Sequence, residues 1–408
     1  MELREGYQQT EIGIVPTDWI VCDVVSQFNF LGNATNPRGD LSYIEEGYSY
    51  IHYGDIHTIL PTLLNLKIFN LPKISMDKVK NTPFLKEGDV IVADASEDLR
   101  GLCQSIEIAS DTNKSECIAG LHTILLRPKY DNFASGFCGY LFNSELLQKQ
   151  YLKLYTGLKV YGVSRTSMKS LLIAIPPKKE QQAIAEALSD ADALIASLEK
   201  LIEKKNSISN SAIKSLLDGS INEQKNDNNA IELSINELSV VGRGRVISHK
   251  EIEKAQESKY PVYSSQTSNS GIMGYLDTFD FDGEYLTWTT DGANAGTVFY
   301  RNGKFNCTNV CGTLKIKAEF DAKFVSLMLE REAPRHVSRQ LGNPKLMNNI
   351  MKEIKLRLPS DLEEQRRISQ QVDDIKNELK ALKDRLNKAK KIKAGMMQEL
   401  LTGRTRLI

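Results

Sequence analysis

The sequence predicts an α+β fold. Two β-rich globular units are separated by two long antiparallel coiled-coil helices, as a tandem repeat with pseudo-two-fold symmetry. Three observations predict it. One stretch occurs twice, at residues 180–219 and 364–403, with a constant shift of 184 (364 − 180). The apolar residues of the two copies coincide: Ile184, Leu188, Ala191, Ile195, Leu198 and Ile202 match Ile368, Val372, Ile375, Leu379, Leu382 and Leu386. Their steps of four, three, four, three, four place one apolar seam along a helix at the coiled-coil period. Each copy also comes after an alternating apolar run that ends in proline: Leu171, Ile173 and Ile175 before Pro176-Pro177, and Ile354, Leu356 and Leu358 before Pro359.

A first unit occupies residues 1–175, with an ordered arm at 12–19 and short β-rich runs. Val90-Ile91-Val92-Ala93 comes after the turn-like Glu87-Gly88-Asp89, and residues 122–127 are stopped by Pro128. Residues 137–153 read as a helix. The first long helix is placed at 176–220, opening on Glu180-Gln181 and closing on Leu216-Leu217-x-Gly219. The polar, aperiodic stretch 221–229 reads as a linker. A second unit occupies 230–358, where Asp282-Gly283 and Asn302-Gly303 are hairpin-turn signals and 320–331 reads as a helix. The second long helix is placed at 359–408. It opens on Glu364-Gln365, and Ser360 with Glu363 has the spacing of a capping box. Gly219 and Gly403 stand where a left-handed residue ends a helix. Each helix would be ~60 Å long. The ends of a domain usually lie close together. The second helix can then meet the first only by running back, with one globular unit at each end of the pair.

Composition narrows the chemistry. Lys+Arg and Asp+Glu both number 52, so net charge argues for no particular partner. No apolar run is long enough to span a bilayer, and the residues after Met1 lack the pattern of a signal peptide. The cysteines at 22, 103, 117, 138, 307 and 311 are scattered, and no His pair completes a zinc site at Cys307 and Cys311. Reduced core thiols in a cytoplasmic protein are the expectation, with no metal and no catalytic residues. P-loop, nucleophile-elbow and H-E-x-x-H motifs are all missing. Asn343-Pro344 begins like the Asn-Pro-Pro-aromatic motif of amino-methyltransferases, but Lys345-Leu346 comes next. What remains is polar loops. Ser264-Ser265-Gln266-Thr267-Ser268-Asn269 offers hydroxyls and amides that can read base edges. The glycine-bearing loop after Trp288, and Arg243 and Arg245 beside Gly242 and Gly244, add close backbone approach and cations.

Together the architecture and these residues resemble the DNA-specificity subunit of type I restriction-modification systems, across essentially the whole chain. Residues 11–19, residues 88–98 with 119–123, residues 260–267, 271–275 and 289–296 look like that family's opening arm and two target-recognition domains. Pro-x-x-x-Glu-Gln before each long helix is similar to its conserved-helix entry, with one extra residue in the second copy. The second repeat has no Pro-x-x-Trp arm, a place that residues 231–238 would fill. The resemblance implies a non-catalytic subunit that reads a split double-stranded DNA target, one half per unit. It also implies two docked modification (methyltransferase) subunits and added restriction/translocase subunits. No cofactor would bind this chain; S-adenosylmethionine, ATP and Mg would belong to those partners. The rival is a coiled-coil scaffold whose globular units bind proteins or carbohydrate. The DNA-contacting residues expected in the second unit are Ser265, Gln266, Thr267, Asp291 and Asn294, with Arg243 and Arg245 on phosphates. In the first they are Arg38, Tyr50, His52, Arg100 and His122, with Arg165 and Thr166.

Overall fold

The computed structural model describes residues 4–44, 46–99, 101–110, 116–219, 230–339 and 342–407. The chain divides into two compact units, Met1–Lys200 with Asp384–Ile408, and Leu201–Lys383. The linker expected at 221–229 lies outside the described residues, and the division passes through the long helices. The reason is packing: Ile184, Leu188, Leu400 and Leu401 join the core of the first unit, and Leu217, Ile368 and Val372 join that of the second.

In the first unit a five-stranded sheet runs in the order Phe28–Leu31, Thr123–Pro128, Val90–Ala93, Ser105–Ser110, Leu63–Asn65. Its two faces feed different cores. Val90, Val92, Ile124 and Leu126 pack with Phe28, Phe137 and Tyr151, whereas Ile91, Ala93, Leu125 and Ile108 pack with Ile51, Ile56 and Leu64. A continuous apolar run such as Val90–Ala93 therefore marks a strand covered on both faces. A three-stranded sheet runs in the order Cys117–Ala119, Tyr48–Ile51, Lys73–Ile74. The helix expected at 137–153 is two helices, Phe137–Leu141 and Glu145–Leu154. Ser144 breaks it by capping the second one, accepting the N–H of Leu147. Asn143 is drawn away to the backbone of Ser105, at 3.1 and 2.8 Å.

The second unit has a four-stranded sheet, Ser239–Arg243, Cys311–Ile316, Tyr285–Thr289, Val298–Arg301, and a three-stranded one, Ile272–Leu276, Tyr260–Tyr263, Asn306–Cys307. The helix read at 320–331 is Ala322–Glu332. The two Xaa-Gly pairs are not hairpin tips. Gly283 and Gly303 exchange backbone hydrogen bonds of 3.2 and 3.1 Å, in register with the pair Tyr285↔Arg301 and the bridge Phe281↔Phe305. Both are left-handed (φ 102° and 99°), which glycine tolerates, so they bend a ladder in its middle. The tip of that hairpin is the loop 290–297.

The long helices are Lys178–Gly219 and Leu362–Leu400. Their seam is covered. Ile184, Leu188, Leu198, Ile202, Ile368 and Val372 are buried; Ile195, Leu379, Leu382 and Leu386 are half-buried. Pairing is antiparallel in each unit taken alone. Asp192–Lys393 (2.5 Å) and Glu199–Lys390 (2.6 Å) lie in the first; in the second Lys205 pairs with Glu378 (2.6 Å), while Leu217 shares a core with the earlier Ile368 and Val372. The second helix starts differently from expectation: Asp361, not Ser360, accepts the N–H of Glu363 (3.0 Å), and the Glu363 side chain pairs with Arg366. It also stops at Leu400, and Gly403 turns the chain at φ 70°.

That tail closes on the arm of the first unit. Arg406 forks onto Glu180 (2.6 and 2.8 Å) and Asp18 (3.0 and 2.7 Å), and Trp19 donates to Glu180 (3.1 Å). The arm is the hairpin Tyr7–Thr10 and Gly13–Pro16. Residues 231–238 do not replace it. Ala230–Ser234 pairs with Lys355–Pro359 as Ile20–Asp23 pairs with Leu172–Ile175, so this stretch is the counterpart of the strand after the arm. No helix among the described residues is long and apolar enough to cross a membrane. Of the six cysteines, five are buried and Cys22 is half-buried.

Candidate nucleic-acid interface

Both units build their candidate face on one backbone frame. In the first, Ala34 N–H donates to Ala119 O (2.8 Å), Gly120 N–H to Ile51 O (2.9 Å), Asp94 N–H to His122 O (3.0 Å) and Val163 N–H to Asp94 O (3.0 Å). In the second, in the same order, Arg245 N–H donates to Cys307 O (3.1 Å), Thr308 N–H to Tyr263 O (2.9 Å), Thr290 N–H to Val310 O (3.0 Å) and Leu346 N–H to Thr290 O (2.8 Å). The ladders agree, with Thr123 opposite Ala93 and Cys311 opposite Thr289. Position by position, His122 corresponds to Val310, Asp94 to Thr290, Ala95 to Asp291, Ala34 to Arg245, and Ile51-His52-Tyr53 to Tyr263-Ser264-Ser265.

On the first face most of the expected residues come together. Arg38 ion-pairs with buried Asp55, which holds the guanidinium pKa above its ordinary value. Asp55 accepts the N–H of His52 (3.3 Å). The His52 ring lies 4.5 Å from that of Tyr53, and Tyr53 meets His122 edge-on at 5.3 Å. His122 Nδ1 is 3.2 Å from Asp94 Oδ1. Burial raises the Asp94 pKa, and His122 and Arg165 oppose that rise. Arg165 donates to Asn33 (3.2 Å), and Thr166 beside it is exposed.

Two expectations are corrected. Tyr50 is fully buried; its hydroxyl donates to Asn36 O and accepts the N–H of Leu121, both at 2.8 Å. It shapes two loops and presents nothing to a base. His52 is 7% exposed and caps the helix Tyr53–Thr58, accepting the N–H of Gly54 (3.1 Å). Burial lowers its pKa, so it serves as a neutral cap. Arg100 lies outside the described residues.

On the second face the loop 307–311 is the hub. Thr308 Oγ1 donates to Ser264 Oγ (3.1 Å), Asn309 O accepts from Arg243 (2.5 Å), and Val310 O accepts from the Thr290 hydroxyl (3.0 Å). It gathers the three stretches that carry the expected contacts. Thr267 and Asn294 are exposed, and Ser265 and Asp291 half-buried. The Gln266 amide is engaged, donating to Ile272 O. The Asp291 backbone forms an antiparallel β-bridge with Lys345, and Gly292 N–H donates to Pro344 O (2.9 Å), so Pro344-Lys345 supports this loop. The phosphate assignment of Arg245 is corrected. Glu251 (2.7 and 3.1 Å) and Asp280 (2.9 Å) hold it, raising its pKa and neutralising its charge. Arg165 and Arg243 have no carboxylate at ion-pair distance among the described residues.

Sequence reasoning missed Tyr53, Asn33 and Asp94 on the first face, and Thr308, Asn309, Lys345 and Asn348 on the second. Asn348 donates to Gly242 O (3.0 Å). One signal was available. Gly120-Leu121-His122-Thr123 and Thr308-Asn309-Val310-Cys311 each lead into the strand before a helix, so aligning the repeats there exposes the hub. Among the described residues no group of three or more His, Cys, Asp or Glu could hold a metal ion.

Comparisons with known proteins agree with this two-fold design. A family model described as the type I restriction modification DNA specificity domain matches residues 23–209 and again 229–391. Two curated relatives from Mycoplasma pneumoniae (strain ATCC 29342 / M129 / Subtype 1) are putative type I specificity subunits. One, described as an N-terminus, is 49% identical over 123 residues, 30% of this chain and 65% of the relative. Another is 45% identical over 126 residues, 31% of this chain and 52% of the relative. The matched stretch thus spans between half and two thirds of their lengths. The crystal structure of a type I restriction-modification S subunit from M. genitalium covers 98% of both chains at a TM-score of 0.61 and 16% identity, a likeness of fold.

Proposed function

From the premise that the chain belongs to the type I restriction modification DNA specificity domain family, we propose that it is the sequence-reading subunit of a restriction-modification complex. Each unit reads one half of a split double-stranded DNA target. The long helices dock two modification subunits and set the gap between the halves; restriction/translocase subunits join that assembly. The observation that supports this best is one frame bearing unlike side chains. Tyr53, Asp94 and His122 in the first unit stand where Ser265, Thr290 and Val310 stand in the second. Two readers of one design with different donors and acceptors suit a target with two different halves. The chain itself is non-catalytic. S-adenosylmethionine belongs to the modification subunits, ATP and Mg to the restriction subunits, and the setting is cytoplasmic. With zero net charge, much phosphate contact falls to the partners.

The test is competition binding by the chain assembled with its modification subunits, across salt and against variants of each half-site. His122→Ala should relax recognition of the first half alone, and Thr267→Ala of the second alone, each by roughly 1–3 kcal/mol. Arg165→Ala and Arg243→Ala should weaken all sequences alike and lower the salt slope by about one. If none of the four changes either preference or slope, this face does not meet DNA.

A further inference from the structure

We infer that Arg301 is the positioning residue of the second reader: a buried cation that holds the loop 264–271 in its reading shape. The inference rests on the function proposed above and names the residue on which half of its specificity depends.

Arg301 is 7% exposed. Its guanidinium carbon lies 3.6 Å from the ring centre of Tyr263 and 4.4 Å from that of Phe299. Nε donates to the Thr287 hydroxyl (3.2 Å) and Nη2 to Ser270 O (2.8 Å). Among the described residues no carboxylate lies at ion-pair distance. Two aromatic faces and two neutral acceptors therefore carry a buried charge, an arrangement that is expensive without a function. The first unit does without it. Val90 and Leu286 stand opposite Leu126 and Leu314, three residues into equivalent strands. Asp89 and Tyr285 precede them, and across the next ladder these face Ile108 and Arg301. Ile108 is fully buried in an apolar core. So one repeat fills this place with isoleucine and the other with arginine, and the fold does not demand the charge.

What the charge touches is the loop. Asn269 and Ser270 are left-handed at φ 48° and 52°, and Gly271 continues at 84°. Side-chain-bearing residues rarely adopt this shape, and strain of this kind gathers at binding sites. Two side-chain bonds help hold it, Arg301 to Ser270 O and Gln266 to Ile272 O, beside the backbone bond from Ser264 N–H to Gly271 O (2.9 Å). Ser265, Gln266 and Thr267 lie between Ser264, which meets the hub, and the Arg301 pin at Ser270.

The experiment compares wild type, Arg301→Met and Arg301→Lys, each assembled with the modification subunits. Targets are selected from a library randomised in both half-sites, and unfolding and salt dependence are measured in parallel. Arg301→Met should keep or raise the melting temperature, keep first-half preference and the salt slope, and lose second-half discrimination by tenfold or more. Arg301→Lys should restore part of it. Unchanged second-half discrimination in Arg301→Met overturns the inference, as does an equal loss in both halves. A salt slope reduced by about one also overturns it, because Arg301 would then be contacting phosphate. Should Arg301→Met fail to fold, Arg301→Lys decides by the same comparison. A wild-type complex with no preference in either half overturns the proposed function itself, an outcome distinct from all of these.

Discussion

Glu107 is 2% exposed, and its carboxylate oxygens accept the N–H groups of Gly136 (2.7 Å) and Gly139 (2.8 Å). Burial, opposed by the backbone donors, pushes its pKa up to about 7. The folded chain then binds a proton at pH values where the unfolded chain has already released it. Stability from this group is full below the ordinary pKa of 4.5 and is lost as pH rises through about 7. Denaturant unfolding measured across that window should show wild type losing on the order of 1–3 kcal/mol that Glu107→Gln does not lose. Equal slopes in both proteins would contradict it. Nothing local announces this residue. Ser105-Ile106-Glu107-Ile108 reads as a strand with Glu107 facing water, and only the covering of both sheet faces turns it inward. Tyr50 and His52 were hidden by neighbouring backbone: Tyr50 packs with Ala34, Ile74 and Ile118 and bonds to Asn36 O, and His52 caps the helix Tyr53–Thr58. A polar side chain on or beside a strand looks available until the loops around it are placed.

The long helices were legible because their signal is local. A seam at steps of four and three needs only a dozen residues to declare itself, and every seam residue is buried or half-buried. Leu198 is 3% exposed and Ser197 beside it is exposed. Leu198→Asp should therefore cost roughly 3 kcal/mol or more by burying an unpaired charge, while Ser197→Asp stays within about 0.5 kcal/mol. Thermal unfolding of the pair checks this, and equal melting temperatures would exclude the buried seam. Elements decided by distant contacts were not legible. The helix at 137–153 breaks because Asn143 bonds to Ser105 and Ser144 caps anew. Asp282-Gly283 and Asn302-Gly303 carry the chemistry of turns, but each finds the other as a ladder partner. Glycine permits the left-handed bend in either setting, so composition alone could not choose.

At the scale of the molecule, the two repeats are joined to their helices in the same way. Gln181 donates to Pro176 O (2.9 Å) and accepts the N–H of Ala134 (2.9 Å); Gln365 donates to Pro359 O (2.7 Å) and accepts the N–H of Asp321 (2.9 Å). The glutamine reaches back five residues in one copy and six in the other. The extra residue between proline and Glu-Gln is thus absorbed in the turn and leaves the joint intact. Under the function proposed above, a latch fixing each unit to its helix would make helix length the control of half-site spacing. The ion pairs identify the matching segments. Asp192–Lys393 and Glu199–Lys390 set residues 194–200 against 385–391, whereas Glu378 faces Lys205. Deleting 194–200 together with 385–391 removes one heptad from each helix and keeps the seam in phase to about 20°. Seven residues are about 10 Å of helix, and DNA rises ~3.4 Å per base pair, so the gap between half-sites should shrink by about three base pairs. The half-site sequences should not change. Mapping methylated sites across a genome carrying the shortened subunit reads both quantities at once. An altered half-site at constant gap would mean that the helices take part in reading, and that the division of labour between loops and helices is wrong.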